Sequence, residues 1–279
     1  MAGYKYPIKT SVDEYTRLAI QSDLFRDDAR DMLARIGDGR GLRVLDLCCG
    51  TGGITDVLSE WVGGDGTVIG ADLNGDKLDY ARQWAERNSL ANVKFVQANA
   101  FDSGLPPQSF DVAHARFALS VIQNGLGIFD HMLTLVKPGG VVCVEEVIAS
   151  SMDCDPPSED WDRAAQLCRT TFSTIGADVN MGLSLRRTFL DRGLTDIKVK
   201  LCVHAQTSTD PMTMHVPLTL AAMRDAIISH DLMAGDDLDA LITRVADHLA
   251  RPDTMTVTYT MTQVAGRVAG SAPHVASGS

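Results

Sequence analysis

The stretch Arg43-Val-Leu-Asp-Leu-Cys-Cys-Gly-Thr-Gly-Gly-Ile-Thr55 constrains this chain's fold more than any other. Val44, Leu45 and Leu47 form a short apolar run, as a buried parallel strand requires. Gly50, Gly52 and Gly53 then turn the chain into a pattern of helical period. Glycine tolerates positive φ and carries no Cβ, so the backbone of such a turn can approach a ligand closely. The helix that follows directs its free N–H groups at the same ligand. Asp46 ends the strand, four residues ahead of Gly50, where a carboxylate repels phosphate and attracts an ammonium group. The dinucleotide spacing Gly-x-Gly-x-x-Gly directly after the strand is not present.

With Asp46, Cys48, Gly50 and Gly52 so placed, the stretch resembles motif I of the class I S-adenosylmethionine-dependent methyltransferases, acid-x-Gly-x-Gly-x-Gly, with Cys48 in place of the first glycine. That replacement is familiar in the ubiquinone/menaquinone-biosynthesis-like branch of small-molecule methyltransferases. A second mark is the turn Lys137-Pro-Gly-Gly140 before Val141-Val-Cys-Val-Glu145-Glu146. The resemblance implies an α/β, Rossmann-like sheet of seven strands, six parallel and one antiparallel, with a helical lid. It implies S-adenosyl-L-methionine as cofactor, with Asp46 to Gly53 at its methionine end, Asp72 and Leu73 at its ribose, and Asn99, Ala100 and Phe101 at its adenine. The strand that ends in Asp72, 26 residues after Asp46, suits this, because a carboxylate accepts from two ribose hydroxyls at once. The family commonly has an acid where Asn99 stands, so either Asn99 or nearby Asp102 reads the adenine amino group.

The remaining chain divides by pattern. Residues 1–40 read as an arm and two helices over the site, the first with Ser11 as N-cap and Glu14 in capping-box position. Glu14-x-x-Arg17-Leu18-x-x-Gln21 resembles the first helix of the same branch, where it covers the methionine end; Arg17 and Gln21 either meet the cofactor carboxylate or lie on a solvated face. Residues 41–150 read as the cofactor-binding core, 151–180 as a lid helix, and 181–268 as completion of the sheet with a helical insertion over 209–252; 269–279 read as a disordered tail. Within 181–268, alternation predicts strands over 196–205 and 255–264, and helical spacing predicts helices over 217–230 and 235–250.

A chain of 279 residues with 45% hydrophobic content can bury a sizeable core. The net charge of −11 disfavours nucleic-acid binding, which needs a basic surface to displace counterions. The expected partner is a small-molecule acceptor; a homodimer stays open. No run of about 18 apolar residues and no signal-peptide pattern occurs, so no membrane partner and a cytoplasmic location are expected. The six cysteines form no Cys-x-x-Cys pair and no metal-ligand cluster, which predicts reduced thiols and no metal.

The function expected is methyl transfer to a small molecule, with tailoring of a secondary metabolite as the setting. The alternative is an enzyme of the same fold that binds the cofactor but catalyses a cyclisation or rearrangement, since function resides in the acceptor pocket. Arg116, after the fourth strand, either reaches the cofactor or an acidic acceptor, or makes a structural ion pair. For a general base the choices are His114, His131, His204, His215, Glu145 and Glu146. Adjacent strand residues face opposite ways, so at most one of Glu145 and Glu146 faces the acceptor. Glu146 and His215 are favoured. His114 and His204, inside strands, read as structural.

Overall fold

In the computed structural model, which describes Ile8 and residues 12–270, the apolar run of Arg43–Leu47 (β1) lies in mid-sheet between Thr67–Asp72 (β2) and Phe110–Arg116 (β4), parallel to both. The arm before Ile8, Ser11 as N-cap and the tail from residue 271 lie outside the described residues. Val93–Gln97 (β3) extends the sheet beyond β2, and Val136–Ile148 (β5) extends it beyond β4. Thr260–Arg267 (β10) pairs antiparallel with β5 on one side and with Thr195–Cys202 (β7) on the other. The order is β3-β2-β1-β4-β5-β10-β7, seven strands with β10 the one antiparallel member. Lys137 to Gly140 forms an irregularity inside β5, where the pairing jumps from Phe110↔Val136 to Val112↔Val141.

Helices cover both faces, which is why the inner strands are apolar throughout rather than alternating. Thr55–Val62 (α3), Gly75–Arg87 (α4), Leu126–Leu135 (α5) and Leu185–Asp191 (α7) belong to the sheet, and Val12–Leu24 (α1) and Arg26–Ile36 (α2) precede it. Ala29, Met32 and Leu33 of α2 pack with Val57, Leu58 and Val62 of α3, while Phe129 of α5 packs on Phe189 of α7 at 4.7 Å.

A second sheet stands at the C-terminal edge. Asp153–Asp155 (β6), Ala205–Thr207 (β8) and Met255–Val257 (β9) pair in the order β6-β9-β8. Each continues a strand of the large sheet: β5 leads to β6, β7 to β8, and β9 to β10. The order β5-β10-β7 therefore repeats as β6-β9-β8 across a break. The strands expected over 196–205 and 255–264 are thus each two strands, interrupted at 203–204 and 258–259, because the edge bends there. Over this sheet lie Glu159–Thr174 (α6), His215–Ala222 (α8), Arg224–Ser229 (α9) and Gly235–Leu249 (α10), whose Trp161, Leu220, Ile227, Leu238 and Leu241 share one apolar cluster. The single helix expected over 217–230 is two helices divided at Met223, and it starts earlier, at His215. Among the described residues no helix is long and apolar enough to cross a membrane.

Candidate functional site

The carboxyl ends of β1, β2, β4 and β5 open into a cavity of about 920 Å³, roofed by α1, α6 and α8. Open α/β sheets bind ligands at this edge. The glycine turn forms its floor. Gly50 and Gly52 have φ of 56° and 94°, and Cys48, at 61°, shares the left-handed region where most side chains are strained. A glycine would be at ease there, and Cys48 is not. Cys48→Gly is expected to raise stability by about 1 kcal/mol and Cys48→Val to lower it by more, read as shifts of the thermal midpoint.

Asp72, at the end of β2, accepts from the backbone N–H of Gly50 and of Asn74, each at 2.9 Å and each on its own oxygen. Both oxygens keep further lone pairs for a ligand. Beyond it Leu73 and Phe101 line the cavity and are 65% and 38% exposed, large apolar surfaces that a flat ring would cover. Asn99 lines the cavity too; its Oδ1 accepts from the Phe101 N–H at 3.0 Å and holds that loop. Asp102, the other expectation for the adenine, is not among the lining residues.

Asp46 is buried, and its charge is shared. His114 of β4 donates from Nδ1 to Asp46 at 2.8 Å and from Nε2 to Glu145 of β5 at 3.0 Å. The register sets this up by pairing Asp46 with His114 and Arg116 with Glu145. Burial works against the charged imidazole, yet the two carboxylates raise its pKa to about 9. Glu145 is held below its usual range by His114, Arg116 and Gln263, against burial. An imidazolium between two carboxylates leaves one net negative charge for a cationic ligand group beside Asp46.

Arg116 lines the cavity and donates from Nη2 to Ser22 Oγ of α1 at 3.2 Å, while its buried Nη1 has no hydrogen-bond partner. Gly53 makes room for it: a Cβ there would stand 3.1 Å from Nη2. Arg17 and Gln21 face inward, not to solvent. Arg17 holds Glu14 through Nε and Nη2 at 2.7 and 2.8 Å, and Gln21 Nε2 donates to Tyr259 Oη at 2.6 Å.

Glu146 does not line the cavity, which corrects the expectation of a general base. Its Oε1 accepts from the N–H of Ala118 and Leu119 at 2.9 and 2.7 Å, and Oε2 accepts from the N–H and the hydroxyl of Ser120. It pins the loop after β4, in which Phe117 takes φ of 51° and faces the cavity. Glu145 and Glu146 do point to opposite faces, but helices close both, so neither carboxylate meets an acceptor. His215 does line the cavity, 7% exposed at the start of α8. Burial and nearby Arg17 push its pKa well below 6.5, so it is a neutral imidazole. Phe117, next to Arg116, lines the site as well, and so do Tyr259, Ser22 and Lys77, which the sequence does not mark. Ser22 stands one helical turn after Leu18, and nothing in the alternating pattern around Tyr259 marks it.

A doubly wound sheet with an acid on β1, a second acid on β2 and a glycine turn between them defines a binder of a nucleoside cofactor that carries a cationic amino-acid end. The chain belongs to the methyltransferase domain family, whose model matches residues 38–180. Demethylmenaquinone methyltransferase of Lactococcus lactis is 40% identical over 126 residues, covering 45% of this chain and 49% of that protein. The chain thus matches about half the length of such curated relatives. A SAM dependent methyltransferase from Aquifex aeolicus shares the fold with a TM-score of 0.55 at 16% identity, covering 93% of this chain and 100% of that one. Phosphoethanolamine N-methyltransferase 2 of Haemonchus contortus, solved with phosphomonomethylethanolamine and S-adenosylhomocysteine, has a TM-score of 0.55 at 20% identity, covering 92% of this chain and 58% of that one.

Proposed function

We propose that the chain transfers a methyl group from S-adenosylmethionine to a small-molecule acceptor. One observation carries the reading: a single cavity presents, in sequence along the sheet edge, two apolar side chains for a flat base, a carboxylate with free lone pairs for a ribose, and Asp46 with its partner His114 beside Arg116. The residues fit the cofactor. Leu73 and Phe101 would take the adenine with Asn99 at its edge, Asp72 the ribose hydroxyls, Asp46 the ammonium and Arg116 the carboxylate. Arg17 and Gln21 hold their places on the same wall through Glu14 and Tyr259. When bound, the cofactor supplies an electrophilic methyl on a sulfonium. The chain's own contribution is alignment and exclusion of water under α1, α6 and α8. The setting we favour is tailoring of a secondary metabolite, on the room left beside the cofactor.

Titration calorimetry tests this. S-adenosylhomocysteine is expected to bind at micromolar Kd, and transfer adds one CH₂ to the acceptor's mass, which a cyclisation does not. No binding of S-adenosylhomocysteine or S-adenosylmethionine by the native chain would remove the proposal.

A further inference from the structure

Three arginines line the cavity, each from a different element: Arg17 from α1, Arg116 from the end of β4 and Arg169 from α6. Two of them have evident work. Glu14 holds Arg17 bidentate at 2.7 and 2.8 Å, and Arg116 stands beside Gly53 of the glycine turn, where the cofactor reading uses it. Arg169 has no counter-charge. Its Nη1 donates to the Ala149 carbonyl at 3.4 Å and its Nη2 to the Gln166 side-chain oxygen at 2.8 Å, both neutral, and among the described residues it has no ion-pair partner. Its own helix offers none, because Ala165, Gln166, Phe172 and Ser173 occupy the positions three and four residues away, where an acid would meet it. In a chain with 36 acidic and 25 basic residues, such a cation on a cavity wall calls for a partner from outside.

A guanidinium carries five N–H donors, and most of those of Arg169 are left over. They can be reached: the side chain is only partly buried, and none of its nitrogens is sealed inside the protein as Arg116 Nη1 and His215 Nδ1 are. The wall around it is apolar, made by Ala149, Met152, Phe172 and Val179. Beside such a wall an anion is partly shielded from water, and a charge-assisted hydrogen bond counts for more than on an open surface. We propose that the acceptor is an amphipathic monoanion, an apolar body bearing one carboxylate, and that Arg169 binds the carboxylate while the body lies along Met152, Phe172 and Val179. This rests on the cavity being the methyl-transfer site. One guanidinium balances one charge, which favours a carboxylate over a phosphate monoester dianion. Arg116 and Arg169 then divide two carboxylates between them, the cofactor's at the end of β4 and the acceptor's under α6. Anchoring the acceptor at one end limits which part of its body can turn toward the sulfonium.

The test titrates 2-naphthoate, its neutral isostere 2-naphthamide and 2-naphthyl phosphate into the full chain saturated with S-adenosylhomocysteine. Saturation itself is measured first, so a failure of the methyl-transfer reading shows separately. The native chain is expected to bind naphthoate about 10-fold more tightly than naphthamide, the value of a charge-assisted hydrogen bond. The net charge of −11 opposes any anion at long range, so this preference has to come from a local cation. Arg169→Gln should abolish it. Arg169→Lys, which keeps the charge and loses the fork, should keep part of it. Unchanged S-adenosylhomocysteine affinity in both variants shows that they fold and that Arg169 does not serve the cofactor. No binding of naphthoate to the loaded chain, equal binding of naphthoate and naphthamide, a preference that survives Arg169→Gln, tighter binding of the phosphate, or loss of cofactor affinity in Arg169→Lys would each overturn the proposal.

Discussion

Replacing Asp72 with alanine is expected to weaken S-adenosylhomocysteine binding by about 100-fold. The carboxylate would give two charge-assisted hydrogen bonds to the ribose, at about 1.5 kcal/mol each, and about 3 kcal/mol is a little over a factor of 100 in Kd. Its other pair of contacts, to the Gly50 and Asn74 N–H groups, keeps the turn and the start of α4 in register. Asp72→Asn retains one acceptor oxygen and can hold only one of those N–H groups, so it should fall between the two. Calorimetric titration of the three proteins measures the effect. An Asp72→Ala protein that binds as the native chain does would mean that the cofactor does not lie along β2.

The second large effect concerns folding. His114→Leu leaves Asp46 and Glu145 buried without the cation between them, and stripping one partner from a buried charge cluster costs about 3–5 kcal/mol. For a domain of this size that is about 10 °C in Tm, read by calorimetry. The native chain should show the same group as a pH effect. The folded pKa of His114, about 9, lies above the unfolded value of about 6.5, so the folded state holds the proton more tightly. Its stabilisation is complete below pH 6.5 and declines as pH rises from there to 9, by about 3 kcal/mol in all. Glu145 works in the other direction: its depressed pKa contributes stability above the usual carboxylate range and loses it as pH falls toward the folded value. Flat stability between pH 6.5 and 9 would mean that His114 is neutral, and that one of its two carboxylate contacts is not a hydrogen bond.

The parts of this architecture that the chain declares openly are those where one short segment makes both the fold and the binding surface. The run from Arg43 to Thr55 is strand, turn and helix start within itself, so its apolar residues, its acid and its glycines can be interpreted without knowing any neighbour. Asp72 is of the same kind, and Lys137-Pro-Gly-Gly140 declares the fold alone. The His114 bridge is not, because it exists only once three strands fix Asp46, His114 and Glu145 in register, and a histidine inside an apolar strand looks the same whether or not two carboxylates flank it. The rule that neighbours on a strand face opposite ways holds for Glu145 and Glu146. The expectation that Glu146 faces an acceptor fails, because its carboxylate is taken up by the N–H groups of the loop after β4. The breaks at 203–204 and 258–259 were hidden for a similar reason: Val199, Leu201 and Val203 keep alternating through the bend, and only the pairing with β6 and β9 shows where one sheet ends and the next begins.

The repeated strand order of the two sheets has a mechanical meaning. The layer above the cavity is joined to the core by four chain crossings: three are only a few residues long and lie along one margin, between β5 and β6, between β7 and β8, and between β9 and β10, and the fourth runs from α6 to α7. A flap hung on one hinge can swing; a panel stitched along one margin at three points cannot leave its frame without tearing paired strands. The side of the roof formed by α1 is different. It runs on to the core through Phe25 and α2 at one end, and the side chains of Gln21 and Ser22 fasten the rest of it to the cavity wall. Of the two, only the α1 side is built so that admitting and releasing a molecule would break side-chain contacts and leave both sheets whole.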